Sequence, residues 1–166
     1  MSLLITILIF SSLYSQDSCL KMEEYYILGN YKACVAHKQE SLSQRCRYIK
    51  ALCSMANEDN DTARYEFSLI GVELKNGEAM NEINGLALTS MVEAQFLKGE
   101  YSKARNLSQE MNALLSRKMP YSYPYFVSEL LMTRSYFNSF DTLSAKKRLA
   151  LAKTAGMEAL LSETFE

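Results

Sequence analysis

The sequence has no tryptophan, one histidine (His37), two prolines and six glycines, and neither sign of charge dominates: 18 Lys and Arg stand against 19 Asp and Glu in 166 residues. Each scarcity removes a class of reading. Balanced charge leaves no basic field to hold a phosphate backbone or an anionic bilayer, so nucleic acid is not an expected partner. A single histidine, with no CxxC or HxxxH pattern, cannot seed an ordinary zinc site, and neither a metal nor a cofactor is expected. GxGxxG, GxxxxGKS and GxSxG are also absent, and no nucleophile, base and charge-stabilising group fall together, so the chain does not read as an enzyme. The acidic run Glu58-Asp59-Asn60-Asp61 lacks the central glycine and terminal glutamate of an EF-hand loop. It reads as a solvated turn with a helix cap. Both prolines, Pro120 and Pro124, sit in one short stretch, which leaves long runs free of helix breakers.

What is present is enough apolar material for one domain, 48% of residues, arranged at helical rather than strand period. The expected class is all-α. At the N-terminus, residues 1–16 carry no charged side chain, and residues 3–10 (LLITILIF) form an apolar run followed by small residues. Such a run is too short for a bilayer, which needs about 20 apolar residues, and it has the form of a signal-peptide core. Residues 1–15 are therefore expected to be a leader cleaved after Ser15, with residues 16–166 as the exported domain in a periplasmic, cell-envelope or extracellular compartment. Ser18 before Cys19 offers a competing exported form, a lipid-modified Cys19, although Gln16 and Asp17 do not suit that pattern. Membrane association is expected only in that case. The four cysteines, Cys19, Cys34, Cys46 and Cys53, lie in the first third, and an oxidising destination favours pairing. Spacing alone leaves three connectivities open.

The strongest local signal is a recurrence. Tyr26-Ile27-Leu28-Gly29-Asn30-Tyr31-Lys32-Ala33 and Phe96-Leu97-Lys98-Gly99-Glu100-Tyr101-Ser102-Lys103-Ala104 share aromatic-x-x-Gly-x-Tyr with a small residue soon after. Glycine accepts the positive φ that ends a first helix, tyrosine packs back over the turn, and alanine lets a second helix approach closely. The two glycines are 70 residues apart, about twice the 34-residue period of a helical-hairpin repeat, so a degenerate copy is expected between them. Tyr48, Leu52 and Met55, then Ala63, Phe67 and Ile70, supply its two helices. A fourth pair follows the prolines: the first helix begins at Tyr125, and Ala145, Leu149 and Ala152 mark the second. Gly156 is expected to stop that helix, leaving residues 157–165 as a capping helix.

These residues resemble the tetratricopeptide repeat, whose hairpins carry a Gly-x-Tyr-x-x-Ala turn between antiparallel helices. Gly99, Tyr101 and Ala104, with Ala94 and Phe96 before them, carry the resemblance best, followed by Gly29 and Tyr31. It departs at Cys34, which stands where the turn alanine is expected, at the second turn, which has no glycine, and at Val92 and Thr133, which replace small residues. The resemblance implies an α-solenoid of about four antiparallel hairpins with a C-terminal capping helix. It further implies that first helices of neighbouring hairpins run parallel, which favours pairing Cys19 with Cys46 and Cys34 with Cys53. It also implies a concave groove lined by first helices, placing Tyr26, Tyr48, Glu93, Phe96, Arg134 and Phe137 on it, with Leu52, Met55 and Leu97 alongside. The Lys/Asn/Arg set that clamps a partner's C-terminal carboxylate in some relatives is missing.

Residues 119–126 (MPYSYPYF) add four aromatics and two prolines, a stiff loop presenting Tyr121 and Tyr123 for contact. The cluster Lys146, Lys147 and Arg148 reads as ordinary helix surface. Together these features predict a non-catalytic module that binds a protein or peptide partner in an aromatic groove. The alternative is a self-associating structural or assembly component of the cell envelope.

Overall fold

The computed structural model describes residues 19–37, 43–75 and 80–163; the expected leader, residues 1–15, lies outside them. Among the described residues there are eight helices and no strand: α1 (Leu20–Ile27), α2 (Tyr31–Ala36), α3 (Gln44–Ala56), α4 (Asn60–Lys75), α5 (Glu82–Leu97), α6 (Tyr101–Lys118), α7 (Tyr123–Asn138) and α8 (Thr142–Glu163). Their starts are written in cap residues. The side chains of Asn30, Ser43 and Ser122 accept from the backbone N–H groups of Ala33, Cys46 and Tyr125, and Asn81 and Asn84 cap one another reciprocally. Asp59 and Asp141 do the same for α4 and α8, accepting from the N–H groups of Thr62 and Ser144.

Four turns share one geometry. Gly29, Glu58, Gly99 and Phe140 all lie in the left-handed region, with φ of 72°, 64°, 75° and 60°. In each case the following residue donates its N–H to the carbonyl five positions back: Asn30 to Tyr25, Asp59 to Ser54, Glu100 to Gln95 and Asp141 to Tyr136, at 2.8 to 3.1 Å. This is the Schellman closure of a helix, made four times. Two of the four do it without glycine. The turns stand 29, 41 and 41 residues apart, so the 34-residue spacing is not kept. α2 has only six residues, whereas α4, α6 and α8 have 16 to 22.

Two further expectations need correction. Gly156 does not stop a helix: α8 runs through it to Glu163, and no separate capping helix exists among the described residues. A Cβ at Gly156 would lie 3.0 Å from the Phe126 ring, so this glycine serves close packing of α8 on α7. Residues 119–126 are not one loop either. α7 begins at Tyr123, with Pro124 in its first turn where a missing N–H costs nothing. Pro124 is buried against Gly85 of α5, where a Cβ would fall 2.7 Å from its ring.

Each helix packs on its successor, and α1, α3, α5 and α7 also pack on one another in series. Three buried clusters follow the chain. The first is Cys19, Met22, Cys34, Cys46, Ile49 and Cys53; the second Ala51, Ala63, Phe67, Ile70 and Ala87; the third Val92, Phe96, Ala104 and Leu131. The first cluster is cross-linked. Cys19 is bonded to Cys46 and Cys34 to Cys53, with Cα separations of 5.3 and 6.2 Å, which is the favoured pairing. Far along the chain, the carboxylate of Glu129 in α7 is 1% exposed and meets the Arg148 guanidinium of α8 at 3.1 and 3.2 Å. Asn112 of α6 donates to Glu129 and to Ser128 Oγ and accepts from Arg148, so three helices share one buried polar knot. Arg148, though partly exposed, therefore turns its guanidinium inward onto Glu129 rather than standing in a basic surface cluster.

Candidate functional site

All the expected contact residues but Tyr121 come from odd-numbered helices, and those helices pack on one another in series. Tyr48 lies near the middle of α3, partly buried, its ring 5.7 Å from that of Phe67. Burial pushes its phenol well above the ordinary tyrosine range, a hydrogen bond with Ser90 pulls it back, and Tyr26, Glu93 and Tyr123 act on it electrostatically. Tyr123, at the start of α7, is likewise raised by burial and then by the negative charges of Glu82 and Glu93. Side chains from α1, α5 and α7, namely Tyr26, Glu93 and Tyr123, thus lie within electrostatic reach of Tyr48 on α3. Tyr26 is held against Tyr31 of α2 at 5.9 Å, tying the turn at Gly29 to this face.

Further along α5, Arg134 of α7 lies over the Phe96 ring at 4.7 Å, a cation–π contact between neighbouring odd helices. Phe96 is mostly core, 3% exposed, and it is Arg134 that is exposed to solvent above it. Leu52 and Met55 are half-buried against the second cluster, and Leu97 is exposed. Phe137 is exposed near the end of α7, and the contacts joining the central four do not extend to it; Tyr121 is exposed in the turn before α7. Ser90 and Glu82 were not among the expected contact residues. Ser90 sits three residues before Glu93 and so on the same side of α5, but only the packing of α3 on α5 reveals its bond with Tyr48.

The arrangement offers phenol rings, a carboxylate and a guanidinium on one side of four serially packed helices. The recess between α5, α6 and α7, lined by Thr89, Val92, Ser108, Met111, Ser128 and Leu131, is too narrow to admit a water molecule. Among the described residues no three His, Cys, Asp or Glu side chains gather as metal ligands, and no helix is long and apolar enough to cross a membrane. The sulfur of Cys19 is bonded to Cys46, and one sulfur cannot hold both a disulfide and a lipid thioether. Tethering through Cys19 is therefore incompatible with this arrangement.

No protein-family model and no curated protein matches this chain.

Proposed function

We propose that this chain is an exported, non-catalytic protein-interaction module, a tetratricopeptide-like stack of about four antiparallel helix pairs. It binds an extended or helical segment of a partner protein along the face of α1, α3, α5 and α7. The single observation that carries this reading is the serial packing of α1, α3, α5 and α7, which puts Tyr26, Tyr48, Glu93 and Tyr123 on four successive odd helices. The four repeated turns and the series of odd-helix contacts support the stacked architecture. Rings contribute contact area at low entropic cost, while Glu93 and Arg134, opposite in charge, fix the register of the docked segment. Two disulfides and the apolar residues 3–10 support an oxidising, exported location.

The test is selection from a displayed random-peptide library on the oxidised protein, followed by affinity measurement against Tyr48→Ala, Glu93→Gln and Arg134→Ala. Enriched peptides should lose at least about tenfold in affinity on Tyr48→Ala, roughly the 1–2 kcal/mol of a central aromatic anchor. Peptides that bind all three variants as well as the wild type would refute the groove. Intact mass after expression with the natural N-terminus tests export: an unprocessed Met1 would refute it.

A further inference from the structure

The last helix carries two apolar faces. Its inner seam, Ala145, Ala152, Ala155 and Ala159, is buried, and Arg148 on the same line reaches Glu129. α7 is the only helix against which α8 packs extensively among the described residues. On the opposite side stand Leu143, Lys147, Ala150, Thr154, Met157 and Leu161, spaced 4, 3, 4, 3 and 4 residues apart and all exposed. Leu143, Met157 and Leu161 are 66%, 56% and 59% exposed, a large apolar outlay for a surface. Alternate spacing of four and three is the pattern by which one helix seats against another in a coiled coil.

The outer seam is complementary to itself in reverse. If two copies of α8 run antiparallel about a two-fold axis at the level of residue 152, Leu143 of one faces Leu161 of the other and Ala150 faces Thr154. Two small residues at the centre allow close approach. Lys147 faces Met157 and has Glu158, on the same side of the seam, one residue away, so the symmetry makes this opposite-charge contact twice. A lipid surface would gain nothing from Glu158. We infer that the outer face of α8 is the interface of an antiparallel homodimer, with a second copy of this chain as its occupant. This face is distinct from the proposed groove, and the two readings stand or fall separately.

Sedimentation velocity of the oxidised full-length chain from about 1 to 500 µM tests it. The wild type should pass from monomer to dimer within that range. Ala150→Glu, which touches no buried contact, should hold the chain monomeric with an unchanged thermal midpoint. Lys147→Glu alone should weaken dimerisation at least about tenfold, and Lys147→Glu combined with Glu158→Lys should restore it to within about threefold of wild type. A wild type that stays monomeric throughout would overturn the proposal, as would a dimer indifferent to Ala150→Glu or a charge reversal that the double variant does not rescue. A monomer that instead co-sediments with phosphatidylcholine–phosphatidylglycerol vesicles through this face would assign it to lipid and equally overturn the dimer.

Discussion

The two ends of the molecule solve the same packing problem by different chemistry. At the N-terminal end, α1, α2 and α3 are short, and four of the six residues in their buried cluster are cysteines. Too little apolar surface is available there to offset the entropy of ordering the chain, and covalent bonds between α1 and α3 and between α2 and α3 supply the difference. At the C-terminal end, α6, α7 and α8 are 16 to 22 residues long, contain no cysteine, and are joined by an alanine seam and the Glu129, Arg148 and Asn112 knot. Length substitutes for cross-links. A buried charge pair at that end sets which face of α8 meets α7, because any rotation of the helix would strand Glu129 without a cation.

The sharpest way to break this comparison is to remove the bridges. Closing loops of 27 and 19 residues is worth about 3 kcal/mol each on chain-entropy grounds, so replacing all four cysteines by serine should cost about 5 kcal/mol or more, all of it at one end. Hydrogen exchange should show lost protection through α1 to α3 while α6 to α8 stay protected. Equal loss at both ends would mean that the molecule is one cooperative unit and that the contrast is only one of composition.

The matching experiment at the other end is Arg148→Met. It leaves the Glu129 carboxylate buried with only Asn112 and neighbouring hydroxyls, and should cost about 3 kcal/mol in urea unfolding, toward the low end for a broken buried pair because Arg148 itself is partly exposed. The double variant Glu129→Leu with Arg148→Met should recover most of that loss. If the double variant is as unstable as the single one, the knot is more than an isolated charge pair and Asn112 carries an independent share.

A smaller effect probes the joint between α5 and α7. Gly85→Ala brings a methyl group to 2.7 Å from the Pro124 ring, whose backbone position is fixed by the start of α7. Helix propensity alone would favour alanine by about 1 kcal/mol, and overpacking opposes it by about 1–3 kcal/mol. A net loss of about 1 kcal/mol in the unfolding free energy is expected; a gain would show that α7 moves freely at its N-terminus.

The sequence made legible the parts whose cause is local. Gly29 and Gly99 announced their turns because few other residues adopt a positive φ easily, and the hairpin model built on them led to both disulfide pairings. What stayed hidden depends on partners distant in sequence. Gly156 looks like a helix stop until the Phe126 ring is seen against it. Arg148 reads as surface beside Lys146 and Lys147 because nothing nearby in sequence reveals that Glu129 waits for it inside. On the candidate site, Tyr48 and Glu93 were legible through the repeat resemblance and Tyr123 through the aromatic composition of residues 119–126, though as a loop residue rather than the start of α7, whereas Ser90 depends on a contact between α3 and α5 that no single helix encodes. The uneven turn spacing was equally invisible, because Glu58 and Phe140 close their turns without the residue that usually marks one.

Those two turns give the smallest and most discriminating test. Glu58 and Phe140 occupy the left-handed conformation that Gly29 and Gly99 adopt without strain, one non-glycine turn falling in each half of the chain. A side chain held there costs about 1–2 kcal/mol, while glycine adds about 0.5–1 kcal/mol of unfolded-state freedom that folding must remove. Phe140→Gly should therefore stabilise the protein by about 0.5 kcal/mol, a rise in thermal midpoint of a degree or two for a domain of this size. No buried contact opposes the gain, since Phe140 is 92% exposed. Glu58→Gly should act in the same direction and by a similar amount, since its turn makes the same backbone bonds. Should Phe140→Gly lower the midpoint while Glu58→Gly raises it, the exposed ring would be contributing to a contact at the α8 end that the N-terminal turn does not make. A concentration-dependent midpoint in the wild type, absent in Phe140→Gly, would locate that contact between copies of the chain.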